Sequence, residues 1–178
     1  MRATRLEKYF GLIQEGGAVK RYHAKNTIQQ ETVGLHSYQV AWLIDYLMED
    51  SPRKAIVLMA GLQHDITEAV TGDMPGPTKA ALNSKGDFSR LENKTLEDFG
   101  HRNYVEELLI EELRVLSLAD YAAGLLFCIQ ERNMGNKFMV ECYDNYMKVI
   151  DRLLNIRCSA KEADLVQFLT RKWKEANV

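Results

Sequence analysis

The residues with the most chemistry to offer lie in one stretch, Gln63-His64-Asp65-Ile66-Thr67-Glu68-Ala69-Val70-Thr71-Gly72-Asp73-Met74-Pro75-Gly76-Pro77-Thr78-Lys79, which crowds an imidazole, three carboxylates and an amine together. The apolar run Ile56, Leu58, Met59, Ala60 and Leu62 predicts a buried helix leading into it, with His64 and Asp65 at its inner end. Burying two adjacent polar side chains is costly unless something pairs with both. A divalent cation does so, because neutral imidazole and ionised carboxylate both coordinate it. Glu68 lies four residues past His64 and three past Asp65, so on a continuing helix all three share one face. Two more ligand-type side chains stand at separate places: His36 at the expected start of a helix, and Asp120 inside the apolar run Val115–Leu126. Two imidazoles and two carboxylates suit one divalent transition ion, zinc, cobalt or manganese, better than magnesium or calcium.

Helical elements must position these groups, since strand signals are almost absent. Leu6, Tyr9, Phe10 and Ile13 predict a first helix ending at Gly16-Gly17, followed by an aperiodic segment from Ala18 to Leu35. A second helix is expected from near His36, with Val40, Leu43, Ile44 and Leu47 inward, and Ser51-Pro52 closing it and opening the next. The third is expected to carry His64, Asp65 and Glu68 and to stop at Gly72 and the two prolines. The polar connector from Thr78 to Asp87 reads as a loop, most mobile at Asn83-Ser84-Lys85-Gly86-Asp87. Phe88 to Phe99, Val105 to Arg132, Phe138 to Leu153 and Ala163 to Trp173 predict four further helices. The expectation is an all-α fold of about seven helices in a single domain spanning residues 1–178.

Composition narrows the function. Lys plus Arg (23) nearly matches Asp plus Glu (25), so nothing attracts a nucleic acid polymer or a membrane surface, and an anionic substrate must be held by a few local cations. Cys128, Cys142 and Cys158 form no Cys-x-x-Cys pair, which argues against a disulfide framework and a zinc ribbon and for a reducing cytoplasm. The N-terminus, with Arg2, Arg5, Glu7 and Lys8, reads as neither signal peptide nor membrane span.

His36, His64-Asp65 and Asp120 resemble the H…HD…D signature of HD-domain metal-dependent phosphohydrolases. Arg21-Tyr22, then Val33-Gly34-Leu35-His36-Ser37, then His64-Asp65-x-x-Glu68-x-x-x-Gly72-Asp73-x-Pro75-x-Pro77-x-Lys79, is similar to their 5′-deoxynucleotidase branch and to compact phage dATP triphosphohydrolases. The chain departs from the bacterial deoxynucleotidases in having Tyr22 for Trp, Leu35 before His36, and a compressed interval from Thr78 to Gly100. The resemblance implies one metal ion held by His36, His64, Asp65 and Asp120, activating a water and polarising a phosphoryl oxygen. It implies Glu68 as the group that orients or deprotonates that water and Asp73 as leaving-group acid or sugar contact. Arg21 and Lys79 would neutralise phosphate, and Tyr22 would stack on the base or pack on the sugar. The compactness of the chain and the Thr32-Val33-Gly34-x-His36-Ser37 wording favour cleavage of dATP to deoxyadenosine and triphosphate in a phage nucleotide pool, within the host cytoplasm. A deoxynucleoside monophosphate nucleotidase is the alternative, and related enzymes assemble into homo-oligomers.

Each residue also has an ordinary explanation. His64 and Asp65 could cap a solvated helix end, Asp120 could bond to Ser117 or Tyr121, and His36 could sit in an exposed first turn. Glu68 could be an exposed helix residue, Asp73 a turn former, Arg21 and Lys79 solvated cations, and Tyr22 a packing residue. His23 and His101 have no evident partner, and Trp42 reads as core or subunit interface. A non-catalytic nucleotide sensor and a cyclic-nucleotide or alarmone phosphodiesterase are the other functional classes. The latter lacks here the extra His-rich motifs of a second metal, and the former has no use for Glu68.

Overall fold

The computed structural model describes residues 4–83 and 86–176, and among them the chain is all-α, with one isolated antiparallel bridge between Lys20 and Thr32. The helices in order are α1 (Arg5–Ala18), α2 (Val33–Leu47), α3 (Lys54–Gln63), α4 (Glu68–Thr71), α5 (Gly76–Asn83), α6 (Asp87–Asp98), α7 (Ile110–Asn133), α8 (Val140–Ile156) and α9 (Ala160–Glu175). Local chemistry sets their starts. Thr4 with Glu7, and Ser159 with Glu162, form reciprocal capping boxes at α1 and α9, and Thr32 caps α2 by accepting from Leu35 N–H.

α7, 24 residues long, is the axis of the molecule because it is apolar on two sides. One side meets α8 and α9 through Leu118, Ala122, Leu125, Met139, Ile150, Leu165 and Leu169. The other meets α2 and α3 through Val40, Ile44, Val57, Ala60, Leu116, Ala119 and Ala123. At about 25 cal/mol per Å² of apolar surface removed from water, these two cores supply the main driving force. The same packing brings α2, the end of α3 and the middle of α7 side by side.

Four expectations are corrected. α2 begins at Val33, a turn earlier than His36, since Thr32 rather than His36 supplies the cap. The third helix does not run through to Gly72: it ends at Gln63, and residues 64–67 form a tight turn before the short α4. Ile66 and Thr67 are β-branched and Asp65 competes for backbone donors, so the turn costs little helical stability. Gln63 anchors it by donating to Arg102 O at 2.7 Å and accepting from Tyr104 N–H at 3.0 Å. The polar connector is not a plain loop, because Gly76–Asn83 is helical and residues 84–85 of the expected mobile loop lie outside the described residues. Splitting the third helix and adding α5 accounts for the difference from about seven elements. Trp42 is exposed rather than core.

Candidate active site

His36, in the second turn of α2, is fully buried and aims Nε2 at Asp120 Oδ1, 2.9 Å away on α7. His64, at the end of α3, donates Nδ1–H to Gly61 O at 2.8 Å, which leaves Nε2 to face the site. That Nε2 is buried with no hydrogen-bond partner, 3.3 Å from Asp65 Oδ2 and 3.7 Å from Asp120 Oδ1. His36 Nε2 lies 3.9 Å from Asp65 Oδ2. His36, His64 and Asp65 each offer a donor atom within 4.8 Å of the others, and Asp120 touches both imidazoles. Donors at about 2.0–2.2 Å from one cation stand about 3–3.5 Å apart, so the spacing fits a zinc-like ion. The orphaned His64 nitrogen, buried between two carboxylates, is the feature that asks for one.

The charges are tightly balanced. Burial pushes the Asp65 pKa up, but His64, Lys79 and Arg21 outweigh it and hold the group well below the usual carboxylate range. Burial likewise opposes ionisation of Asp120, but the hydrogen bond with His36 and the nearness of both imidazoles hold it well below the usual carboxylate range. Its side chain is one-third exposed and opens on a cavity of about 650 Å³. Asp65 Oδ1 accepts from Lys79 Nζ at 2.9 Å, and its Oδ2 accepts from Arg21 Nη1 at 2.8 Å. Glu68 reaches the site from the first position of α4, across the turn rather than along a helical face; its Oε1 is 3.5 Å from Lys79 Nζ and its Oε2 is buried without a partner. Burial, and then Asp65, raise its proton affinity well above the ordinary value.

Asp73 follows Gly72, whose φ of 72° only glycine adopts without cost, and this bend turns Asp73 back toward the cavity. Its Oδ2 accepts from Tyr22 N–H at 2.9 Å and lies 3.3 Å from His23 Nδ1. His23, exposed as expected, therefore has a partner that sequence reasoning missed. Tyr22 holds a left-handed φ of 57°, a strained conformation for a bulky residue that the Asp73 bond helps to maintain. One face of its ring stacks on Phe127 at 4.6 Å and its hydroxyl meets that of Tyr146 at 2.9 Å, so the ring is part of the cavity wall, packed from behind. Arg21, Tyr22, Asp65, Glu68, Asp73, Lys79 and Asp120 all line this one cavity, and His36 and His64 lie behind its inner end. Two contributors had no sequence signal: Tyr146, inside the helix expected over Phe138 to Leu153, and Glu31, 1% exposed behind Arg21, inside the aperiodic segment.

A family model described as "5′-deoxynucleotidase YfbR-like" matches residues 8–163. The chain belongs to the YfbR-like family. Curated 5′-deoxynucleotidases are similar to it: that of Vibrio vulnificus (strain YJ016) is 26% identical over 149 residues, covering 72% of this chain and 76% of the relative. That of Klebsiella pneumoniae (strain 342) is 25% identical over 186 residues, covering 90% and 87%. Solved structures share the fold. They include the HD phosphohydrolase DatZ of cyanophage S-2L, bound to dA and one catalytic zinc ion (TM-score 0.64, 18% identity, 98% of each chain), and a conserved hypothetical protein of Pyrococcus furiosus (TM-score 0.72, 20% identity, 92% of this chain and 98% of that one). The YfbR-like chain is thus an HD-domain deoxynucleotide phosphohydrolase, and among its described residues no helix is long and apolar enough to cross a membrane.

Proposed function

We propose that the protein is a metal-dependent 5′-deoxynucleotidase that hydrolyses deoxynucleoside 5′-monophosphates, with His36, His64, Asp65 and Asp120 as ligands of one zinc, cobalt or manganese ion. The observation that carries the reading is the placement of these donors at the inner end of a cavity that also presents Glu68, Arg21 and Lys79. A divalent ion bound there supplies a water of lowered pKa and polarises the phosphoryl oxygen. Glu68 accepts the proton of the attacking water; a buried carboxylate of raised proton affinity is the stronger base. The P–O5′ bond breaks, and Asp73 returns a proton to the leaving oxygen or fixes the sugar. Arg21 and Lys79 offset the charge on the phosphoryl group, and Tyr22 bounds the nucleoside.

Cation supply favours a monophosphate. Arg21 is already shared between Glu31 and Asp65, Lys79 between Asp65 and Glu68, and Lys25 at the cavity rim pairs with Glu141. A triphosphate would bring about two more negative charges with no cation assigned to them. The curated relatives' names point the same way. The second reading, dATP to deoxyadenosine plus triphosphate in a phage nucleotide pool, is favoured by the likeness to DatZ. Three free cysteines suit a reducing cytoplasm, and Leu35, Tyr38 and Trp42, exposed along α2, suit a homo-oligomer.

Phosphate release from deoxynucleoside mono- and triphosphates with cobalt, manganese or zinc, with and without an added tripolyphosphatase, tests the choice. Orthophosphate directly from monophosphates is expected. Tripolyphosphate from dATP alone would replace this reading by the second, and no turnover with any metal would leave a nucleotide-binding module.

A further inference from the structure

Arg21 depends on a side chain that does not itself line the cavity. It sits in the connector between α1 and α2, and a long side chain on such a segment loses much rotamer freedom when held in one pose. The backbone there is pinned: Arg21 N–H donates to Glu31 O at 3.0 Å, Val33 N–H to Val19 O at 2.9 Å, and Lys20 bridges Thr32. The tip of the connector is tied to α7, where the fully buried Glu131 accepts from Ile28 N–H and Gln29 N–H at 2.7 Å each. This register sets Glu31 opposite Arg21, and directly opposite residues on an antiparallel pair share a face. Glu31 Oε2 accepts from Arg21 Nε at 3.0 Å, while Nη1 donates to Asp65 Oδ2 at 2.8 Å. Nη2 donates to no protein atom among the described residues.

A carboxyl group 1% exposed, with Oε1 unpartnered, is a poor device for stability, because an apolar side chain of the same volume would cost less to bury. Its geometry accounts for it differently. With Nε engaged by Glu31, the guanidinium cannot turn its Nε edge onto Asp65 as a second fork, so the Nη2 donors stay uncommitted beside the metal-type donors. We infer that Glu31 is a positioning residue for the hydrolytic reaction, acting through Arg21 by holding Nε so that the Nη edge meets a phosphoryl oxygen. The inference rests on the nucleotidase reading for what Arg21 binds. It needs an acceptor at Glu31 and not a charge, which agrees with burial pushing the Glu31 pKa up to about 7.

A double-mutant cycle over the parent, Glu31→Met, Arg21→Met and the double variant, with Glu31→Gln alongside, tests it. Each cobalt-loaded protein is assayed for dAMP hydrolysis and, by calorimetry, for affinity toward inorganic phosphate. Glu31→Met keeps volume and removes the acceptor; kcat/KM should fall about ten- to hundredfold, the range expected when a clamp moves by about an ångström. Phosphate affinity should fall about fivefold or more, as expected for a misdirected charged hydrogen bond. Glu31→Gln, which keeps an acceptor, should stay within about threefold of the parent, and in the Arg21→Met background Glu31→Met should change either reading less than about twofold. Equal losses in both backgrounds, or Gln as damaging as Met, would overturn the role. Should Glu31→Met not fold, Glu31→Asp withdraws the acceptor and enters the same cycle with the same expected pattern. A parent inactive on dAMP would remove the nucleotidase reading, while phosphate affinity unchanged by Glu31→Met would separately remove this one.

Discussion

At the scale of single residues, Asp120 decides whether four polar groups form a centre or a misfit. It stands on α7 among Leu118, Ala119, Ala122 and Ala123, all fully buried, and its Oδ1 pairs with His36 Nε2 at 2.9 Å and lies 3.7 Å from His64 Nε2. Removing it leaves His36 Nε2 facing no partner, at a cost of about 1–3 kcal/mol for an unsatisfied buried group. The rest of α7 keeps its packing. Asp120→Ala is therefore expected to retain its far-UV circular dichroism while metal content after gel filtration, and turnover with it, drops to about a hundredth or less. Stoichiometric metal in that variant would show that Asp120 is not a ligand. The types and spacing of His36, His64, Asp65 and Asp120 were legible in the sequence because polar groups inside apolar runs stand out. Glu31 was not, since a glutamate before a capping threonine looks the same whether it faces water or an arginine.

Among the elements, the turn of residues 64–67 matters more than the helices it joins. It sets Asp65 and Glu68 together against Lys79, with Asp65 Oδ1 at 2.9 Å and Glu68 Oε1 at 3.5 Å from Nζ. α1 presses on this turn at Gly16, where a Cβ would lie 2.4 Å from Ile66 O, a backbone atom with nowhere to go. Gly16→Ala should lower unfolding free energy by about 1–3 kcal/mol, the usual cost of overpacking. It should also weaken metal binding about tenfold or more, by shifting His64 and Asp65 against α7. Gly11→Ala on the same helix meets nothing within 4 Å and should be neutral, or stabilising by about 0.5–1 kcal/mol. Urea denaturation and metal titration of both variants check this; equal behaviour would mean that α1 does not brace the turn.

For the whole molecule, the donors come from α2, the turn after α3, and α7, which lie far apart in the chain and are joined by the two cores that flank α7. An ion bound by side chains from all three stabilises only the folded state. At a free concentration of about a hundred times Kd the gain is about 2.7 kcal/mol. For a domain of this size that corresponds to a rise of about 5–10 °C in the midpoint of thermal unfolding. Addition of cobalt or zinc should produce this rise, EDTA should reverse it, and Asp120→Ala should lack it. A midpoint indifferent to metal would separate the cluster from any ion.

The amino-acid order by itself determined the helical class and the family, and singled out His36, His64, Asp65 and Asp120, because hydrophobic period and rare polar insertions are local properties of a chain. Tertiary structure alone decided that the third helix breaks at Gln63, that Tyr22 packs on Phe127, and that Glu31 faces Arg21. Those outcomes follow from which segments meet across the cores. A contact between distant residues leaves no period in the sequence from which to read it.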